Sequence, residues 1–240
     1  MIGPSTHALA PGWTALIASA QAWTPPLVST LIVVPHPDDE SLSTGGLIAH
    51  LRRRQVRVVV ICVTDGDAAY PDHVEPAELA SWRRTEQQNA LDALDVPAAD
   101  VRRAGIGDGT VDAHVDALQS LVERVATESA IGHIVAPWVH DHHCDHEATG
   151  RAARDAARRL EIPLTYGLFW GLTRTDAPTG GAVELRRLDL SDDERARKDI
   201  AIGAHRTQIT TSVAPLPVLD DDDLAPTRWS FELFIGDRAQ

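Results

Sequence analysis

Three short apolar runs, residues 27–34, 56–63 and 131–137, constrain this chain more than any other feature. None alternates with polar residues, so each reads as a strand buried on both faces. Between them, residues 45–54 carry Leu47, Ile48 and Leu51 on one helical face. Residues 75–94 set Leu79, Trp82, Leu91 and Leu94 against Arg83, Glu86, Gln87 and Asn89, and residues 111–126 read as a further amphipathic helix. Strands and helices in alternation build a sheet covered on both sides, which is the α/β class. The expected fold is a single Rossmann-like domain with a mostly parallel sheet flanked by helices. Ligands of such sheets sit beyond the carboxyl ends of the strands, which points to the loops 35–46, 64–75 and 138–150.

The rest of the chain continues the pattern. Residues 150–160 read as a helix, 164–172 as a strand with three aromatics, and 184–190 as an alternating edge strand. Ser191 is a suitable N-cap for a charged helix running to about residue 209. The acidic run 220–223 reads as a solvated loop. Residues 1–26 form an expected N-terminal extension to a domain spanning 27–240. Within it, residues 13–23 read as a short helix packing Trp13, Leu16, Ile17, Ala20 and Trp23 on the domain. No Lys or Arg precedes that segment, and Pro11-Gly12 and Pro25-Pro26 bound it, which argues against a signal peptide.

Charge narrows the partners. With 22 basic and 35 acidic residues the net charge is −13, which disfavours phosphate backbones and anionic lipid, so neither nucleic acid nor membrane is expected. No apolar run reaches the roughly 18–20 residues that span a bilayer. Two cysteines, Cys62 and Cys144, cannot frame a secreted disulfide domain and fit a reducing cytoplasm. Nothing in the sequence sets the state of a homo-oligomer.

The first loop reads Pro35-His36-Pro37-Asp38-Asp39-Glu40 directly after a strand. An imidazole beside adjacent carboxylates is a costly cluster of charge that a divalent cation would offset. The prolines restrict the backbone. If His36 and Asp39 face the metal, Asp38 points elsewhere and is free to take a proton from water. The bland alternative is a solvated loop with Asp38 or Asp39 as an N-cap, and this hexapeptide alone leaves the two even.

A second cluster tips the balance. His133, His140, His142, His143 and His146 are five of the 11 histidines. His146, just before a helix, would complete a His, Asp, His set with an open position, the usual arrangement of catalytic zinc. His143 would lie beside the metal, where an imidazolium stabilises an oxyanion or protonates a leaving amine. Asp141 or Asp145 would orient the His143 ring. Cys144 is a weaker ligand candidate than His146, because the Asp-containing loop suits a harder site. Asp65 is either an outer partner of these groups or a turn former.

The Pro-His-Pro-Asp-Asp-Glu motif and His143-x-Asp145-His146, in this order, closely resemble the zinc-dependent N-acetylglucosaminyl deacetylases of the PIG-L or LmbE-like family. Thr64-Asp65-Gly66, Arg83-x-x-Glu86, Gly107-Asp108-Gly109 and His205-x-x-Gln208 extend the resemblance from about residue 31 to 208. It implies a metal on His36, Asp39 and His146, Asp38 as general base, and His143 as the group that stabilises the oxyanion and helps the amine leave. It also implies that Arg83, Asp108 and His205 bind substrate. By residue type alone, Arg83 either pairs with a phosphate or carboxylate or makes a helix-face pair with Glu86 or Gln87. Asp108 either accepts from sugar hydroxyls or forms a turn with Gly109, and His205 alone reads as a packed histidine. The loop 67–75 is a pocket wall or an ordinary connection. Cys144 stands where many members have proline.

The function expected is hydrolytic removal of an acetyl or other acyl group from the nitrogen of an N-acetylglucosamine-type conjugate, in bacterial glycoconjugate or secondary-metabolite metabolism. The partner is then a small N-acetylated amino-sugar conjugate. The cofactor is Zn2+, with Fe2+ open because a two-His, one-Asp set accepts both. A hydrolase of another bond would favour two bridged metals and more carboxylates. A non-catalytic sugar- or metal-binding protein would need neither Asp38 nor His143. Gly45-Gly46 lacks the spacing of a phosphate-binding loop.

Overall fold

In a computed structural model describing residues 9–180 and 183–236, the chain opens with α1 (Trp13–Ala18) and β1 (Gln21–Ala22). There follow β2 (Thr30–Val34), α2 (Asp39–Arg53), β3 (Val58–Cys62), α3 (Pro76–Ala93), β4 (Val101–Arg103) and α4 (Val115–Glu128). The second half holds β5 (His133–Pro137), α5 (Cys144–Leu160), β6 (Leu164–Gly167), α6 (Trp170–Arg174), β7 (Leu185–Asp189) and α7 (Asp192–Ala204). It ends with α8 (Arg206–Ile209), α9 (Asp221–Leu224) and β8 (Phe231–Gly236). The strands form one sheet in the order β1-β7-β8-β6-β5-β2-β3-β4. Every pairing is parallel except those of β8 with β6 and β7.

The apolar runs are continuous because both sheet faces are covered. Leu31, Val33, Val59, Ile61 and Ile134 point to one side, against Leu118 and Val122 of α4 and Ala152 and Ala156 of α5. Ile32, Val34, Val58, Val60 and Val135 point to the other, against Leu47 and Leu51 of α2 and Leu91 of α3. Each fully buried Val, Leu or Ile among them stabilises the fold by about 1.5–3 kcal/mol relative to exposure. The chain runs outward from β2 through β3 and β4, then crosses to β5 and β6 on the opposite side of β2. A crevice opens at that reversal, beyond the carboxyl ends of β2 and β5.

Several boundaries differ from the expected ones. Helices α2 and α5 begin at Asp39 and Cys144, not at residues 45 and 150, so His146 sits in the first turn of α5 and not before it. Their first turns carry polar side chains that face the crevice, which hides them from an apolar periodicity. The aromatic run 164–172 leaves the sheet after Gly167 and turns into α6. β7 is not the edge, since β1 pairs outside it, and α1 accordingly stops at Ala18. Trp13 is fully buried and donates Nε1–H to Thr175 O at 2.7 Å. Trp23 packs on Phe234 with ring centroids 4.9 Å apart. The expectation for residues 1–8 lies outside the described residues.

Ser191 caps α7 in a reciprocal capping box with Glu194, but the helix breaks at His205 and resumes as α8. The acidic run is not a plain loop, for Asp220 caps the short α9 through the N–H groups of Asp222 and Asp223. β4 and β8 have no counterpart in the sequence reading; Glu232 interrupts the apolar pattern of β8. Its buried carboxylate is paired with Lys198 Nζ at 2.7 Å and accepts from the N–H groups of Gly46 and Leu47. No helix among the described residues is long and apolar enough to cross a membrane.

Candidate metal centre

The loop after β2 delivers its side chains through a strained turn. Asp38, at the N-cap position of α2, has φ 148° and makes no side-chain cap bond. A non-glycine residue in that region costs of order 1–3 kcal/mol unless its surroundings hold it there. Arg83, buried on α3, does so: its Nη2 donates to Pro37 O at 2.8 Å and lies 3.2 Å from Asp38 Oδ2, while Nη1 donates to Gly66 O at 2.8 Å. Burial raises the Asp38 pKa, the Arg83 guanidinium counters this, Asp39 raises it again, and the net position is about 6.

His36, Asp39 and His146 come together, with one potential ligand atom from each within 4.8 Å of the others. Asp39 Oδ2 accepts from the His36 backbone N–H at 3.0 Å and lies 3.2 Å from His36 Nδ1 and 3.3 Å from His146 Nε2. Asp141 Oδ2 is 2.8 Å from His146 Nδ1, which assigns the proton of that ring to Nδ1. Nε2 is buried 3.3 Å from Asp39 Oδ2 with no hydrogen-bond partner among the described residues, and once unprotonated its lone pair is available to a cation there. A buried imidazole oriented by a carboxylate, with its free nitrogen among carboxylate and imidazole donors, fits a divalent cation.

The electrostatics agree. Burial opposes charge on all three groups, yet neighbouring opposite charges prevail. His146 is raised to about 9 by Asp39 and Asp141, His36 is raised well above the usual imidazole range, and Asp39 is held well below the usual carboxylate range. The cluster thus carries an excess of carboxylate that a cation would satisfy.

His143 caps α5, with its Nδ1 accepting from Asp145 N–H at 3.2 Å. Its ring centre is 5.0 Å from those of both His36 and His146. Burial, then His146 and His36, lower its pKa to about 4. Neither expected carboxylate orients it. Asp141 belongs to His146, whereas Asp145 accepts from Gly109 N–H at 2.7 Å and Val111 N–H at 3.2 Å and reaches His36 Nε2 at 3.3 Å. His36, His143 and Asp145 form a second group of potential ligands.

Other expected residues are placed as follows. Asp108 Oδ1 lies 3.1 Å from His36 Nε2, and Oδ2 accepts from Ala68 N–H at 2.9 Å. His205 does not line the cavity; it is buried under α2, 3.0 Å from Ser41 Oγ and 3.5 Å from Glu40 Oε1. Asp65 pairs with Arg84 at 2.6 Å and Arg103 at 3.2 Å and serves that local network. Arg83 pairs with neither Glu86 nor Gln87, which bond Thr207 and Glu40 instead. Tyr70 in the loop 67–75 is anchored to Thr207 O at 2.8 Å, and Ala68 and Ala69 form part of the cavity wall.

The cavity measures about 320 Å³ and is shared by His36, Asp38, Asp39, Arg83, Asp108, His143 and Cys144. Leu42, Phe169, Trp170, Val218 and Leu219, which the sequence does not single out, form much of the remaining wall, together with Gln208 of the late His-Gln pair. The aromatics of residues 164–172 are the available signal, though their run reads as a strand where the chain in fact turns into α6.

Known proteins bear on this arrangement. A probable N-acetyl-alpha-D-glucosaminyl L-malate deacetylase 2 of Bacillus subtilis (strain 168) is 29% identical over 185 residues, spanning 74% of this chain and 82% of that protein. The protein of the same name from Bacillus anthracis is 30% identical over 212 residues, covering 82% of this chain and 88% of its own. The crystal structure of the A40926 pseudoaglycone deacetylase Dbv21 superposes with a TM-score of 0.69 at 25% identity, over 87% of this chain and 96% of that one. Residues 31–157, more than half of the 240, match the family described as PIG-L: GlcNAc-PI de-N-acetylase. With that match and those relatives, the chain belongs to the PIG-L family.

Proposed function

We propose that this protein is a metal-dependent N-deacetylase that hydrolyses the amide of an N-acetylglucosamine-type conjugate, releasing a carboxylic acid and a free amine. The observation that carries the reading is the His36, Asp39 and His146 set beside a strained, buried Asp38 in one cavity. His36, Asp39 and His146 would hold the cation, Zn2+ or Fe2+. When bound, it supplies Lewis acidity that polarises the carbonyl and lowers the pKa of water.

The other roles follow from protonation states. Asp38, with a pKa near 6, is largely ionised at neutral pH and still basic enough to take a proton from the attacking water. His143 accepts at Nδ1, so its proton is on Nε2, and as a neutral ring it donates that N–H to the developing oxyanion. A neutral imidazole is too weak an acid to pass its N–H proton to the departing nitrogen, so that proton comes from Asp38, which has just acquired one. Asp108 and Asp145 hold His36, and Asp141 holds His146. The domain is taken as residues 27–240, with residues 1–26 as an extension, and the acidic, cysteine-poor composition supports a cytoplasmic setting.

The test combines metal analysis with amine release from N-acetylglucosaminyl compounds. Wild type is expected to hold about one zinc or iron per chain. His146→Ala should lose the metal, whereas Asp38→Ala should keep it and lose about 10²–10⁴-fold in kcat. Wild-type turnover by Asp38→Ala would remove the base assignment, and a protein refusing metal altogether would remove the whole reading.

A further inference from the structure

The part of the cavity wall that the reaction does not use is apolar. Leu42, Phe169 and Leu219 form a small cluster of their own, separate from the two cores, with Trp170 packed against it. Leu42, Phe169 and Leu219 are nearly inaccessible and make a floor, while Trp170 is half-buried and Val218 exposed at the rim. Leu216, two residues before Val218, is 77% exposed.

This wall is built rigidly. Asp141 Oδ1 accepts from the N–H groups of Phe169 at 3.3 Å and Gly171 at 2.8 Å, at the start of α6. The Arg174 guanidinium stacks 4.0 Å from the centre of the Trp170 ring and is itself tied to Asp223 at 3.1 Å. Phe169 and Trp170 meet edge to face at 4.9 Å. The aromatic surface is therefore held open and does not depend on a ligand to organise it.

Charge decides what can occupy it. Among the described lining residues Arg83 is the one Lys or Arg, and both its Nη atoms are bonded to the carbonyls of Gly66 and Pro37, with Asp38 alongside. The lining carboxylates are Asp38, Asp39 and Asp108. An anionic substituent such as the L-malate group named for the Bacillus relatives meets a single lining Arg, whose two Nη atoms are already taken and whose Nε is buried.

We infer that the cavity takes a neutral amino sugar bearing an apolar alkyl or aryl group, seated on Leu42, Phe169, Trp170, Val218 and Leu219. The inference rests on the deacetylase reading for its sugar and amide, but the apolar wall stands apart from that chemistry. The group can enter as the acyl chain or as the aglycone, and the two sources are separable. In an apolar pocket even one methylene changes kcat/KM by about 10–200-fold.

The experiment supplies metal to the full chain and measures amine release from four compounds: N-acetylglucosamine, N-hexanoylglucosamine, hexyl N-acetylglucosaminide and N-acetylglucosaminyl malate. In parallel, calorimetry follows binding of hexyl glucoside, which has no amide, to wild type and to Trp170→Ala. One hexyl compound should exceed N-acetylglucosamine by at least about tenfold in kcat/KM and the malate conjugate should not; which hexyl compound wins identifies the source. Hexyl glucoside should bind with a negative heat-capacity change that Trp170→Ala diminishes. Amine release with no hexyl preference, or with the malate conjugate preferred, overturns the inference and leaves the deacetylase reading intact. Hexyl glucoside binding without amine release from any compound upholds the apolar wall and removes the deacetylase reading.

Discussion

Asp141 joins His146 to the aromatic wall of the cavity: its Oδ2 lies 2.8 Å from His146 Nδ1, and its Oδ1 accepts from Gly171 N–H at 2.8 Å. One buried carboxylate thus sets both the tautomer of His146 and the start of α6. Carboxylates behind metal-binding imidazoles are typically worth 10–100-fold in metal affinity. Asp141→Asn should weaken metal binding by about that factor, measured by chelator competition. Unchanged affinity would show that His146 is oriented by other means.

Arg83, 3.2 Å from Asp38, counters the burial that raises the Asp38 pKa. In its proposed role as base Asp38 must be unprotonated, so kcat/KM should fall as pH drops through about 6. Removing the guanidinium in Arg83→Gln takes away a charge that lowers the Asp38 pKa, so the acid limb should move to higher pH. A pH profile of kcat/KM checks this, and an unmoved limb would separate Arg83 from the base.

His133 should make the fold acid-sensitive without touching the site. It is buried in β5, with Nε2 3.0 Å from Thr165 Oγ1, and burial followed by the charge of Arg186 lowers its pKa to about 4. Between an unfolded pKa of about 6.5 and this value, the unfolded chain binds the extra proton. Stability is therefore lost as pH falls across that window, by about 3 kcal/mol, and no further below it. His133→Gln, which does not titrate, should lose correspondingly less in denaturant titrations at pH 7 and pH 4. Parallel losses in both proteins would refute the assignment.

Lys198 and Glu232 hold α7 against β8 at 2.7 Å with both side chains buried. Breaking such a pair strands a charge, so Lys198→Met should lower the unfolding free energy by about 3–5 kcal/mol. The double change Lys198→Met with Glu232→Gln should cost less than the single one. Urea denaturation of the three proteins measures the difference; a single variant as stable as wild type would show that the backbone N–H groups of Gly46 and Leu47 suffice for Glu232.

What the sequence determined by itself is what depends on near neighbours along the chain. Both-face burial is legible in the runs that become β2, β3 and β5, because burial on two sides removes the polar alternation. The Ser191 cap is legible because it acts within one turn. So is the meeting of His36 with Asp39, because the strand end and helix start that carry them are contiguous. Only the tertiary structure decided which group each of these side chains serves. Asp145 turns to His36, 109 residues away, and not to His143 beside it, while Asp141 takes His146. Arg83 is spent on the Asp38 turn, and His205 lies under α2, because α3 and α7 pack against each other beside it. β8 enters the sheet with a glutamate at its centre only because Lys198 arrives from another helix to neutralise it. Periodicity records how much of a residue is buried; the partner it meets there depends on how distant elements stack, and no local pattern carries that information.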